Sequence, residues 1–102
     1  MSTELAMNAY VLLGNALHGF MNGKGGYADS GLSPVQVREL NSKLEPLPPS
    51  KILEAVAAVT AEERMLLGDL CRSALREMGG EAEALLGVPR DVAEQTLAEL
   101  GL

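Results

Sequence analysis

The sequence predicts an all-α fold: a compact, bundle-like domain of about five helices with no sheet. Apolar residues recur at intervals of three and four through most of its 102 positions, the spacing of one face of a helix. No stretch alternates apolar with polar residues as a half-buried strand does. Most of the Gly and Pro lie between the periodic stretches, where they punctuate helices.

The first helix is expected from about Thr3 to Met21, with Ser2 or Thr3 as N-cap. Leu5, Ala9, Leu12, Leu13, Ala16, Leu17 and Phe20 define one apolar face, and Met7, Val11, Gly14, His18 and Met21 trace a second line on another side. From Leu5 to Met21 there is no formal charge. A helix apolar nearly all round is buried on most sides, so it is either a central helix ringed by the others or a helix shared with a second subunit.

The Gly-rich stretch 22–32 ends this helix and predicts a mobile or functional loop. Ser33-Pro34-Val35-Gln36 then has the form of a capping box with Pro at the first helical position. Val37, Leu40 and Leu44 form the inward stripe of this second helix, which the Pro-rich break at 46–49 stops. A short third helix begins at Ser50 and runs through Ile52, Leu53, Val56 and Val59.

Thr60-Ala61-Glu62-Glu63 reads as a fresh capping box, which predicts a break before the fourth helix. There Leu66, Leu67, Leu70, Cys71, Ala74, Leu75 and Met78 oppose Asp69, Arg72, Ser73, Arg76 and Glu77, and Gly79-Gly80 terminates the segment. A short apolar turn follows over 82–86. Asp91-Val92-Ala93-Glu94 has the pattern of a third capping start, for a final helix docked by Val92, Ala93, Leu97 and Leu100.

Length and composition place residues 1–102 in a single helical domain. With 47% apolar residues, three aromatics and no Trp, the core must be filled by Leu, Ala, Val and Met. The net charge of −6 is concentrated after residue 60, where four Arg face nine carboxylates. That balance repels phosphate backbones and predicts no nucleic-acid binding. Glu4 precedes the first apolar stretch with no Lys or Arg before it, so no signal peptide is expected. The stretch itself carries Asn8, Asn15 and His18 and is a poor membrane span. A cytoplasmic, acidic protein without membrane attachment is the expectation.

One histidine excludes a His-rich metal site, and no metal or cofactor is expected. Cys71, the lone cysteine, can form no intrachain disulfide and reads as a buried structural thiol. Paired with His18 it would make a nucleophile and base for a small enzyme, but both lie on apolar helix surfaces, where a core histidine and a core thiol are commoner.

Gly23-Lys24-Gly25-Gly26 has the form of the G-x-x-G loop of KH domains, without flanking strands and in an acidic chain, and is read as a turn. Asp29-Ser30, after a long helix in a small acidic helical protein, resembles the attachment site of acyl carrier proteins. That resemblance implies a phosphopantetheine arm on Ser30. Gly31 replaces the aliphatic residue that follows the serine in that family, and an ordinary turn is the competing reading.

The carboxylates Glu62, Glu63, Glu81, Glu83, Asp91 and Glu94, with Glu99, are a candidate acidic docking face for a protein partner. Met7, Val11, Gly14, His18 and Met21 are the candidate interface of a homodimer, since two-fold dimers are the commonest soluble assemblies and Met adapts readily to a partner. The function expected is therefore non-enzymatic: an interaction or regulatory module that self-associates through its N-terminal helix.

Overall fold

The computed structural model describes residues 3–22, 33–78 and 82–102. Among them are six helices and no strand: α1 (Thr3–Met21), α2 (Pro34–Leu44), α3 (Pro49–Ala58), α4 (Ala61–Met78), α5 (Ala82–Leu86) and α6 (Arg90–Leu100). Five of these have ten residues or more, and α5 is the short apolar turn. The all-α class and bundle-like build are as the periodicity predicts.

Helix α1 is the axis and packs against each of the other five. Its face of Ala9, Leu12, Leu13, Ala16, Leu17 and Phe20 is buried. It meets Val37 and Leu40 from α2, Ile52 and Val56 from α3, Leu67, Leu70 and Cys71 from α4, Leu86 from α5, and Ala93 and Leu97 from α6, all in one core. Each fully buried Leu or Ile in it contributes about 1.5–3 kcal/mol.

The helix starts follow local chemistry at two of three expected boxes. Ser33 sits in extended backbone and its hydroxyl accepts from the Gln36 N–H at 3.3 Å, with Pro34 at the first helical position. Thr60 and Glu63 form the reciprocal box: the Glu63 N–H donates to Thr60 Oγ1 at 3.1 Å and the Thr60 N–H donates to Glu63 Oε1 at 3.0 Å. Helix α3 opens one residue before the expected Ser50, at Pro49, whose fixed φ suits the first turn.

The third expected box does not form. Pro89, extended and lacking a capping side chain, is the N-cap of α6, and Asp91 falls inside the first turn. Buried Val88 and the fixed φ of Pro89 set the chain entry earlier than the polar pattern implies. The capping role passes to α5 instead, where Glu83 Oε2 accepts from the Arg90 N–H at 3.3 Å.

Three side-chain hydrogen bonds tie helix ends to neighbouring helices. Arg64 donates to the Val56 carbonyl at 3.1 Å and to the Leu100 carbonyl at 2.9 Å, placing one positive charge at the negative ends of α3 and α6. Asn15 on α1 donates to the Leu86 carbonyl at 3.0 Å. The next residue, Gly87, turns with φ +79° directly against Val11 and Asn15. Helix α6 closes in a left-handed glycine turn at Gly101, with the Leu102 N–H reaching back to the Leu97 carbonyl.

Candidate functional site

Helix α1 is both the central helix and an exposed one. The five surrounding helices cover its inner face and leave a stripe facing outward. At 3.6 residues per turn, Tyr10, Met21, Gly14, Met7, His18 and Val11 fall side by side within about 100° of arc. Met7, Tyr10 and Met21 are 45%, 39% and 37% exposed, His18 is exposed, and Val11 and Gly14 are half-buried. The candidate interface residues therefore lie together on one surface. Tyr10 joins them, three residues after Met7 and four before Gly14 on the same line, although the apolar pattern alone does not single it out.

Gly14 opens a groove in this stripe. A side chain added there would meet nothing within 4 Å. The groove, about 390 Å³, runs between Tyr10, Gly14 and His18 on one wall and Asn41, Leu44, Glu45 and Ile52 on the other. Buried Leu13, Leu17, Leu44 and Ile52 give it an apolar floor. Its rim is polar: His18 Nε2 lies 3.8 Å from Glu45 Oε2, and Asn41 Nδ2 donates to Glu45 Oε1 at 3.4 Å.

His18 is thus not the core histidine that its apolar surroundings in sequence imply. Its side chain is 56% exposed, because it points along the uncovered stripe toward the end of α2. Cys71 is the buried thiol that was expected, and burial pushes its pKa up to about 12, against a smaller opposing pull from the Arg72 charge. The two residues are not brought together: His18 faces outward beside Glu45, and Cys71 is enclosed in the core.

The described acidic residues fall into two groups along α4. Glu62 and Glu63 open α4, where Glu63 is committed to the Thr60 box and to an ion pair with Lys43. The Lys43 hydrogen bond, with the Thr60 N–H, holds the Glu63 carboxyl below the usual range. Glu83 and Glu94 meet Arg90, with Asp91 next to it in the first turn of α6, and Arg90 also donates to the Leu75 carbonyl near the other end of α4. Twelve residues of helix separate Glu63 from Leu75, about 18 Å at 1.5 Å per residue. Glu81, Lys24 with its glycines, Asp29-Ser30 and the rest of 23–32, where a mobile or functional loop is expected, lie outside the described residues.

Among the described residues no three His, Cys, Asp or Glu side chains are grouped to hold a metal ion, and no helix is long and apolar enough to cross a membrane. Comparison with known protein families, curated proteins and solved structures found no match for the chain. The fold and the surface together define a small all-α bundle whose central helix is also an outer one.

Proposed function

We propose that this protein is a non-enzymatic interaction or regulatory module of the cytoplasm, and that it pairs with a second copy of itself through the outer stripe of α1. One observation carries the reading. Of the five large hydrophobic side chains exposed among the described residues, three, Met7, Tyr10 and Met21, stand on that stripe, and the other two, Val35 and Met65, sit on different helices. Two molecules of net charge −6 repel each other over most approaches, and the uncharged length of α1 is where that repulsion is least opposed to apolar contact.

Gly14 suits a helix crossing. With no side chain at the mid-point of the stripe, two α1 helices approach toward the short end of the usual 8–10 Å interaxial range. In a two-fold arrangement each copy offers both the groove and the apolar side chains beside it.

Sedimentation velocity across micromolar concentrations tests this directly. The expected result is a concentration-dependent dimer that Met7→Lys or Met21→Lys converts to monomer while helical circular dichroism is retained. A parent protein that sediments as a monomer throughout refutes self-association.

A further inference from the structure

The outer stripe of α1 has the same spacing read in either direction. From Met7 through Tyr10, Gly14 and His18 to Met21 the steps are three, four, four and three residues. At about 100° of turn per residue, Met7 and Met21 lie about 20° to opposite sides of Gly14, and Tyr10 and His18 about 40° to opposite sides.

The two sides of the stripe differ in what borders them. Tyr10 leans to the side of Leu13 and Leu17, which line the groove together with Leu44 and Glu45 from the end of α2 and Ile52 of α3. His18 leans to the side of Val11 and Asn15, where Gly87 and the turn after α5 close in. The stripe therefore carries a projecting aromatic ring near one end and, beyond Gly14 on the same side, an apolar hollow.

We propose, on the reading that α1 pairs with a second copy, that the two helices run antiparallel about a two-fold axis at Gly14 and that Tyr10 of each copy fills the groove of the other. Such an axis reverses the helix direction and keeps every residue on its own side of the interface. It carries the partner's Tyr10 to the level of His18, about 6 Å beyond Gly14, on the side of Leu17, where Leu44 and Glu45 line the groove. The ring then rests on the apolar floor and its hydroxyl meets the polar rim of His18, Asn41 and Glu45, as a buried tyrosine requires. Gly14 faces Gly14 at the axis, and Met7 faces the partner's Met21. A parallel pair exchanges the two sides instead. It sends the partner's Tyr10 toward Val11 and Gly87 and leaves the groove unfilled. Only the antiparallel pair uses the projection and the hollow together, the self-complementarity that a two-fold interface demands.

Disulfide crosslinking of the full chain separates the two orientations, because facing Cα atoms of helices about 8–10 Å apart come within disulfide reach. Met7→Cys and Met21→Cys, both at exposed positions, are oxidised singly and as an equimolar mixture in which one carries an affinity tag. The expected product is the mixed dimer, in at least about tenfold excess over either homodimer. The parent, whose Cys71 is buried, is the blank. In sedimentation, Tyr10→Ala is expected to weaken the dimer at least about tenfold with helical circular dichroism retained. Tyr10→Phe should weaken it less, since the ring stays and only the hydroxyl is lost. Homodimers formed as readily as the mixed product overturn the antiparallel arrangement and leave pairing through α1 standing. Tyr10→Ala pairing as tightly as the parent also overturns the proposal, as does a protein that sediments as a dimer without crosslinking at either position. A parent that is monomeric at every concentration removes the proposal together with the reading it rests on.

Discussion

Replacing Gly87 by Ala should cost the fold about 2–3 kcal/mol, while the same change at Gly101 should cost markedly less. Both glycines have left-handed backbone, with φ +79° and +74°, so both substitutions incur the strain of an L side chain there, about 1–2 kcal/mol. What differs is the space. A Cβ on Gly87 would lie 2.8 Å from Val11 Cγ1 and 2.9 Å from Asn15 Nδ2, whereas at Gly101 the nearest group is Arg64 Nη1 at 3.7 Å. Relieving the first clash means moving Asn15 off the Leu86 carbonyl, and a hydrogen bond of that kind is worth about 0.5–1.5 kcal/mol. The entropy that Ala removes from the unfolded chain is common to both variants and cancels in the comparison. Urea denaturation with linear extrapolation measures both losses, at a concentration where the protein is monomeric. Losses equal within about 0.5 kcal/mol would refute the close approach of the α5–α6 turn to α1. Adding Val11→Ala should restore part of the Gly87→Ala loss, because the two sites are in contact.

Further outcomes follow from the same contacts. Gly14→Ala should stabilise the isolated protomer by about 0.5–1 kcal/mol, because the added methyl meets nothing; thermal denaturation in the Met7→Lys background measures it, and a loss would mean that the groove is not open. Arg64→Met should cost about 2 kcal/mol or more, since two charged hydrogen bonds to helix ends are removed; an unchanged melting temperature contradicts that role. The folded-state pKa of Glu63 is depressed, so its contribution is present above the unfolded value near 4.5 and is lost as pH falls through the lower folded value. Glu63→Gln should therefore flatten the decline of stability below about pH 4.5 relative to the parent, and an unaltered slope argues against the Lys43 and Thr60 bonds. Cys71 should react with a thiol reagent at pH 8 only as fast as the protein opens, and labelling at the rate of a free thiol would show that it is not enclosed.

The helices were legible in sequence because their boundaries are set by nearby residues. Ser33-Pro34 and Thr60 with Glu63 act within a single turn, so their pattern and their geometry coincide. The start of α6 departs from its local pattern for the opposite reason. Its free N–H is met by Glu83 from a different helix, and the entry angle is fixed by the burial of Val88. The same limit applied to His18. Its line on α1 was visible, but whether that line faces the core depends on where the other five helices stop, which no local spacing encodes.

The outward stripe of α1 is informative chiefly because charge there would be nearly free. Surface substitutions away from caps and buried contacts usually change stability by no more than about 0.5 kcal/mol, so Met7→Lys should leave the folded protomer intact by denaturation. Single exposed apolar residues need no explanation. A helix with no charge from Leu5 to Met21 on a chain of net charge −6, with Met7, Tyr10 and Met21 aligned along its exposed side, is a different case. Folding of the protomer alone requires the inner residues Ala9 to Phe20 to be apolar and places no such demand on Met7 or Met21. If Met7→Lys weakens the protomer's own stability by about 2 kcal/mol or more, as a buried site would, the stripe belongs to the core and the case for pairing is lost. If stability is unchanged and the dimer disappears, the apolar character of the outer stripe is explained by contact between molecules.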